Sequence, residues 1–241
     1  MKKFIADDAF WSIFPDVSIG VLTVRNIQHS IELHETYTKE IKLLLNNANI
    51  TAKHYLTSDT ISENRVVKVW REAYQKFPTK KGVRSSIEAL LKRVLRDNPV
   101  GTISPTVDIT NAISLKYALP IGAENMDAFD GDIHLGVMNG GEDFIPIGSS
   151  EQDPPLPGEI AYYDATGVIC RCWNWRDGQR TEITDTTTNE FIAMECVDKE
   201  RVGELHAALD ELAALLSKYV GAEVISKQVI TALNREAVIQ E

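Results

Sequence analysis

Three groups of residues in this chain combine chemistry-bearing types with informative spacing. The first is Cys170-Arg-Cys-Trp-Asn-Trp-Arg176. Read as a strand, alternation places Arg171, Trp173 and Trp175 on one face and Cys170, Cys172 and Asn174 on the other. An indole beside a guanidinium can stack a nucleobase or aromatic ligand while Arg171 or Arg176 meets a phosphate or carboxylate. The same tryptophans would serve equally as core packed under helices, with the arginines capping a sheet. The second group is Thr110, Asn111 and Ser114, a short polar seam beside the apolar positions Ile109, Ala112, Ile113 and Tyr117.

The third group is a basic run. Residues 65–96 hold ten Lys or Arg and two acids, a local charge of +8 in a chain whose formal net charge is −10. One concentrated basic region on an acidic body suggests a docking surface for a polyanion, although solvated helix faces produce such runs too. Lys80, Lys81, Arg84, Arg93 and Arg96 lie off the apolar stripes and are the candidates to meet phosphates. Arg84 sits just before a helix start, where exposed N–H groups favour an anion; it reads equally as a plain surface charge.

Other chemistries are absent from the pattern. Cys170-x-Cys172 is one residue too tight for a Cys-x-x-Cys knuckle, and His134 has no second ligand at metal spacing. There is no P-loop, dinucleotide fingerprint or Gly-x-Ser-x-Gly elbow. We therefore expect neither a metal nor a cofactor. Three cysteines in 241 residues fit a reducing compartment better than a disulfide framework. No apolar run approaches the roughly 20 residues that span a bilayer. No secretory h-region follows the first lysines, so the expectation is a cytoplasmic protein with no membrane partner.

The elements that must position these residues follow from periodicity. Residues 17–24 read as a strand, and 31–48 as a helix with Tyr37, Ile41, Leu44 and Leu45 inward. Val66, Val69, Trp70 and Ala73 mark a helix over 64–77, stopped by Pro78. Ser85 and Glu88 have capping-box spacing, opening a helix to Arg96 with Ile87, Leu90, Leu91, Val94 and Leu95 buried. Pro105 at a first helical position opens the next, which Pro120 ends. The second half is mostly β: 132–138 with a return strand at 143–147 across Asn139-Gly140, a hairpin of 159–163 with 168–175, and 191–197. A long amphipathic helix over 199–219 and a strand over 222–230 close the chain. This order favours a single α+β domain over 1–241, a mixed β-sheet packed with helices.

The segment from Pro105 to Phe144, PTVDITNAISLKYALPIGAENMDAFDGDIHLGVMNGGEDF, resembles the B3/B4 domain of the phenylalanyl-tRNA synthetase beta subunit. There a similar Asp-Val-Thr-Asn helix ends in a Gln-Pro turn, followed by a strand and a Gly-Glu hairpin. Thr184-Asp-Thr-Thr-Thr188 and Phe191–Cys196 resemble that domain's Thr-Asp-Asp-Thr-Thr turn and following strand. The core resemblance covers 105–197, with an extent of 17–230. Its early FPDVSIG stretch, Arg84-Ser-Ser-Ile-Glu88 and the Trp-Asn-Trp-Arg run are similar to free-standing members of the family.

The resemblance implies a cleft between helices and sheet that binds a tRNA acceptor end or aminoacyl-tRNA and hydrolyses mischarged esters in trans. Carried over residue by residue, the family's Thr and Asn fall on Thr110 and Asn111, its histidine on Gly122, and its loop acid near Gln179. Two polar groups of the editing site are therefore replaced, which favours a binding module over an aminoacyl-tRNA deacylase. The substrate-binding set expected on all grounds is Thr110, Asn111, Gly122, Arg171, Trp173, Asn174 and Arg176. The alternative is a small-molecule protein, for an amino-acid-like or nucleotide ligand, using the same cleft without RNA. The oligomeric state has no signature in the sequence.

Overall fold

In the computed structural model, the described residues are 1–28 and 33–240. Two sheets face each other. The larger has the order β10-β1-β4-β5-β6-β7, and the smaller β3-β8-β2-β9. In chain order the strands are β1 Lys2–Ala6, β2 Ser18–Arg25, β3 Ile121–Asn125, β4 Ile133–Val137, β5 Ile160–Tyr163, β6 Val168–Arg171, β7 Arg176–Asp177, β8 Glu190–Cys196, β9 Glu223–Ile230 and β10 Glu236–Gln240. The helices are α1 Asp8–Ile13, α2 Glu35–Thr51, α3 Arg65–Ala73, α4 Ser86–Leu95, α5 Pro105–Tyr117 and α6 Val202–Val220. The α+β reading holds, with two sheets in place of one.

Strand β8 shows why the sheets stack. Phe191 and Ala193 belong to the core between the sheets, while Ile192, Met194 and Cys196 face a second core under the helices. Both faces of the strand are covered, so it is apolar at every position but Glu190 and Glu195, and the two-residue period sorts side chains between cores. The α6 leucines at 205, 209, 212 and 216 fill the outer core together with Ile109 and Ile113 of α5. Between the sheets, Phe4 packs on Tyr162 at 5.7 Å and on Phe191 at 5.5 Å between ring centroids.

Helix starts match their chemistry. Ser85 accepts from the Glu88 N–H at 3.4 Å, as the capping spacing requires. The other half of the box does not form, because the Glu88 carboxylate takes both arms of Arg71, at 2.6 and 3.0 Å. Pro105 opens α5, and Ala118 closes it in the left-handed region before Pro120 is reached.

Several expectations are corrected. Helix α3 ends at Ala73, ahead of Pro78, and Tyr74 turns its phenol onto the Cys172 carbonyl at 2.7 Å. No return strand forms over 143–147, where Pro146 makes only an isolated bridge with Gly178. The Glu142 carboxylate instead ties down the Asn139 and Gly140 N–H groups, and β4 pairs with β5 and, in parallel, with β1. Helix α2 begins after His34; residues 31 and 32 of the expected helix lie outside the described residues. The elements β1, α1, β3 and β10 have no counterpart in the sequence reading.

Candidate functional site

A cavity lies between the inner faces of the two sheets. Its volume is about 60 Å³, and it opens in part to solvent. One wall is β3 and β8. Gly122 and Glu124 alternate inward on β3, and Phe191, Ala193 and Glu195 on β8; Gly122 is paired with Ala193 and Glu124 with Phe191. The facing wall includes Ile133, Tyr162, Ile169 and Cys170, closed by Trp173, Asn174, Trp175 and Asp177. Ser86, at the start of α4, completes the lining.

The segment after β6 is not an extended strand. Cys172 and Trp173 both sit at positive φ, 45° and 66°, so the chain turns at 172–175 and the expected alternation breaks down. Left-handed backbone at bulky residues costs of order 1–3 kcal/mol each and persists only where surroundings over-determine it. Here the Cys172 N–H donates to Glu159 at 3.0 Å and the Trp173 N–H to the Ile160 carbonyl at 2.7 Å. The Trp173 ring is wedged among Phe10, Phe14 and Trp70, at 5.1, 4.7 and 5.0 Å between centroids.

The turn redistributes the predicted site residues. Trp173 is 0% exposed, a core indole under the helices whose polar edge alone is left over: Nε1 has no protein partner. Arg171 is also 0% exposed. It is held by Glu159 at 2.7 and 2.9 Å and by Asp153 at 2.8 Å, and it does not line the cavity. The expectation that Arg171 and the tryptophans share a ligand-facing strand face is therefore corrected. Trp175 lines the cavity, half-buried, with the exposed Arg176 guanidinium 5.3 Å over its ring. Asn174 and Gly122 line the cavity together. Thr110 and Asn111 do not; their helix packs against α2 and α6, and the Thr110 hydroxyl is buried without a partner.

The ionisable carboxyl groups of a mostly apolar lining are ones the sequence reading did not single out, Glu124, Asp177 and Glu195, and no Lys, Arg or His lines the cavity with them. Glu195 accepts from the Tyr162 hydroxyl at 2.7 Å and from the Asn174 amide at 3.3 Å. Burial pushes its carboxyl up to about 8, against the pull of those two donors. Burial also drives Glu124 well above the usual carboxylate range, and the adjacent Asp177 adds to the rise. Asp177 is itself raised by burial. Glu124 Oε2 has no protein partner. The Cys170 thiol is pushed well up by burial, so no thiolate nucleophile is available there. The trace of these acids in the sequence was their register: Glu195 falls in phase with the inward Phe191 and Ala193.

A basic groove adjoins the cavity. Trp70, Arg71, Tyr74, Gly82, Arg84, Ser85, Glu88 and Lys92 line it. Tyr74 separates the two spaces, its hydroxyl 3.0 Å from Asn174 Oδ1. The first turn of α4 is less open to an anion than expected, because the Ser86 N–H donates to the Asn174 carbonyl at 3.1 Å and the Glu88 N–H to Ser85. Lys80 is paired with Asp153, and Arg93 donates to the Asn98 and Pro99 carbonyls at 3.4 and 3.0 Å. Lys81 and Arg96 are exposed, and Arg84 reaches only the Gly82 carbonyl, at 3.2 Å. His134, on β4, lies 2.9 Å from Asp7, which also accepts from Tyr163 at 2.8 Å.

With this geometry the comparisons are informative. The B3/4 domain family model matches residues 69–221, well over half of the chain, and the chain belongs to that family. The fold is similar to a solved N-terminal fragment of the phenylalanyl-tRNA synthetase beta subunit from Pyrococcus horikoshii, with a TM-score of 0.51 and 13% identity. The likeness covers 92% of this chain and 49% of that one, so this chain spans about half the length of the fragment. No curated protein matches the chain. Among the described residues no helix is long and apolar enough to cross a membrane, and no cluster of three or more His, Cys, Asp or Glu is placed to hold a metal ion.

Proposed function

We propose that this chain binds the acceptor end of an aminoacyl-tRNA, with phosphates in the basic groove and the aminoacyl group in the cavity between the sheets. The supporting observation is that groove and cavity meet at one helix start: Ser85 lines the groove and Ser86 the cavity. A terminal nucleotide held by Arg84 and Lys92 has the cavity next to it. Trp175 lines the cavity, and the Arg171 and Arg176 guanidinium groups lie 5.8 and 5.3 Å from its ring centroid, an aromatic and cationic pair for contact with a terminal nucleotide.

Hydrolysis of the aminoacyl ester is a second reading, favoured by Glu195. A carboxyl raised to about 8 is poised to exchange a proton near neutral pH, the property a general acid or base requires. Gly122 supplies no side chain where the family has a histidine, so any such activity rests on the cavity's own acids. Incubation with a panel of aminoacyl-tRNAs, scored for retention on the protein and for ester loss above the spontaneous rate, tests both readings. Binding without ester loss selects the binding module. Absence of RNA binding at low salt leaves a small-molecule protein.

A further inference from the structure

The cavity is unusual in its charge. Three carboxyl groups, Glu124, Asp177 and Glu195, line one enclosed space, and no cationic side chain shares that lining. The nearby arginines are committed elsewhere: Arg171 to Glu159 and Asp153, and Arg180 to Asp164 at 2.7 Å. A buried carboxyl is normally paired or hydrogen-bonded. Glu124 is 5% exposed beside Asp177 and Thr181, and its Oε2 reaches hydrogen-bond geometry to neither. Independently, the fully buried Trp173 lines the same cavity, and its Nε1 donor lies beside the Tyr162 hydroxyl without reaching hydrogen-bond geometry to any protein acceptor. An unused acceptor, Glu124 Oε2, and an unused donor in one cavity describe a ligand that brings both a cation and an oxygen acceptor. The apolar lining of Ile121, Ile133, Ile169, Phe191 and Ala193 suits the methylenes between them.

We propose that the cavity receives an alkylammonium group, presented as the side chain of a basic amino acid. This inference rests on the proposed function for the ester attachment, but the ammonium chemistry is shared by a free amine, and the experiment separates the two. Burial holds protons on Glu124 and Glu195 in the unliganded protein and outweighs the pull of the Arg180 charge on Glu124. An entering ammonium supplies that cation, and the apolar walls strengthen the pair by excluding water. The rim places the rest of the ligand: Gly122 and Ser86 are partly exposed, whereas Glu195 is 1% exposed. An amino acid entering side chain first reaches the acids with its far end and leaves its carboxyl ester at the rim, beside the basic groove.

The test is calorimetric titration of the full chain at neutral pH with lysine methyl ester, norleucine methyl ester and glutamic acid α-methyl ester. The lysine ester should bind about tenfold or more tighter than the norleucine ester, the range for a hydrogen bond to a charged group. The glutamate ester should bind weakest. Glu195→Gln and Glu124→Gln, both isosteric, should each reduce the ratio of lysine-ester to norleucine-ester affinity while circular dichroism shows the fold retained. Displacement by cadaverine would show that a free amine suffices; retention of lysyl-tRNA without cadaverine binding would assign the group to an esterified side chain. Equal affinity for the lysine and norleucine esters, binding of neither, or a preference unchanged in both variants would overturn the inference. Capture of aminoacyl-tRNAs with neutral side chains and no lysine preference would remove this inference alone. A lysine preference without binding of any tRNA would keep it and remove the RNA reading.

Discussion

The Tyr162 hydroxyl donates to Glu195 Oε1 at 2.7 Å, joining the larger sheet to the second strand of the smaller one across the cavity. Asn174 donates to the other oxygen at 3.3 Å, and Tyr74 lies 3.0 Å from the Asn174 side chain. A continuous polar chain therefore runs from the basic groove to the cavity interior. Its end is a carboxyl raised to about 8 by burial.

That shift makes stability depend on pH. The folded state holds its proton up to about 8 for Glu195 and up to about 7 for Glu190, while the unfolded carboxyls release theirs near 4.5. Between those values the native protein binds more protons than the unfolded chain, so unfolding free energy falls as pH rises. The contribution is fully present below 4.5 and lost by about 8. Within the window each group removes about 1.4 kcal/mol per pH unit. Urea denaturation midpoints should decline from pH 5 to 8, and Glu195→Gln together with Glu190→Gln should flatten that decline. A midpoint that rises over this range would contradict the burial assignment.

Much of the fold was legible because its helices are amphipathic and capped. The Ser85 cap, the Pro105 start and the α6 leucine stripe follow from local rules, and the structure keeps them. Strand β8 was legible as a strand but not as a cavity wall, since both of its faces are covered. The turn at 172–175 was not legible at all: neither Cys172 nor Trp173 is a residue that favours positive φ, and tertiary bonds to Glu159 and Ile160 impose it. The phosphate candidates were read from composition, which does not show that Lys80 is neutralised by Asp153. Of the predicted substrate residues, Gly122, Trp173 and Asn174 reach one cavity because period-two register and a tight turn converge there.

Arg171 provides a stability test. It is fully buried and pairs with the buried Glu159. Arg171→Met should leave Glu159 as an uncompensated buried charge and cost about 3–5 kcal/mol. For a chain of this size that lowers Tm by about 6–20 °C. Replacing Arg171 and Glu159 together with Met and Gln, which keeps an acceptor for the Cys172 and Leu156 N–H groups, should recover much of the loss, whereas losses that merely add would contradict a coupled pair.

The basic surface predicts a salt dependence with a specific residue pattern. Each neutralised phosphate contributes about −0.7 to the slope of log K against log salt on single strands, and about −0.9 on a duplex. Replacing Arg84 and Lys92, the groove cations proposed to meet phosphates, together with Gln should flatten the slope for tRNA by about 1.4 to 1.8. Lys80→Gln should change it less, because its partner Asp153 already offsets the charge. Filter binding from low to physiological salt measures both. Equal effects at Lys80 and Arg84 would place the RNA on another surface.

The central claim is that the cavity holds the aminoacyl group while the groove holds the RNA. A Cβ at Gly122 would have no atom within 4 Å, and the residue lines the cavity, so Gly122→Phe has room at its first carbon and carries its ring to the cavity lining. The direct measurement is fluorescence anisotropy of aminoacyl-tRNA and of the same tRNA uncharged, on the wild-type protein and on Gly122→Phe. The wild-type protein should bind a cognate charged form more tightly, by about tenfold, the scale of one well-placed interaction. Gly122→Phe should erase that difference and leave uncharged tRNA binding and its salt slope intact. Equal binding of charged and uncharged tRNA by the wild-type protein across the aminoacyl panel, or a charged-state preference that survives Gly122→Phe, would contradict the account.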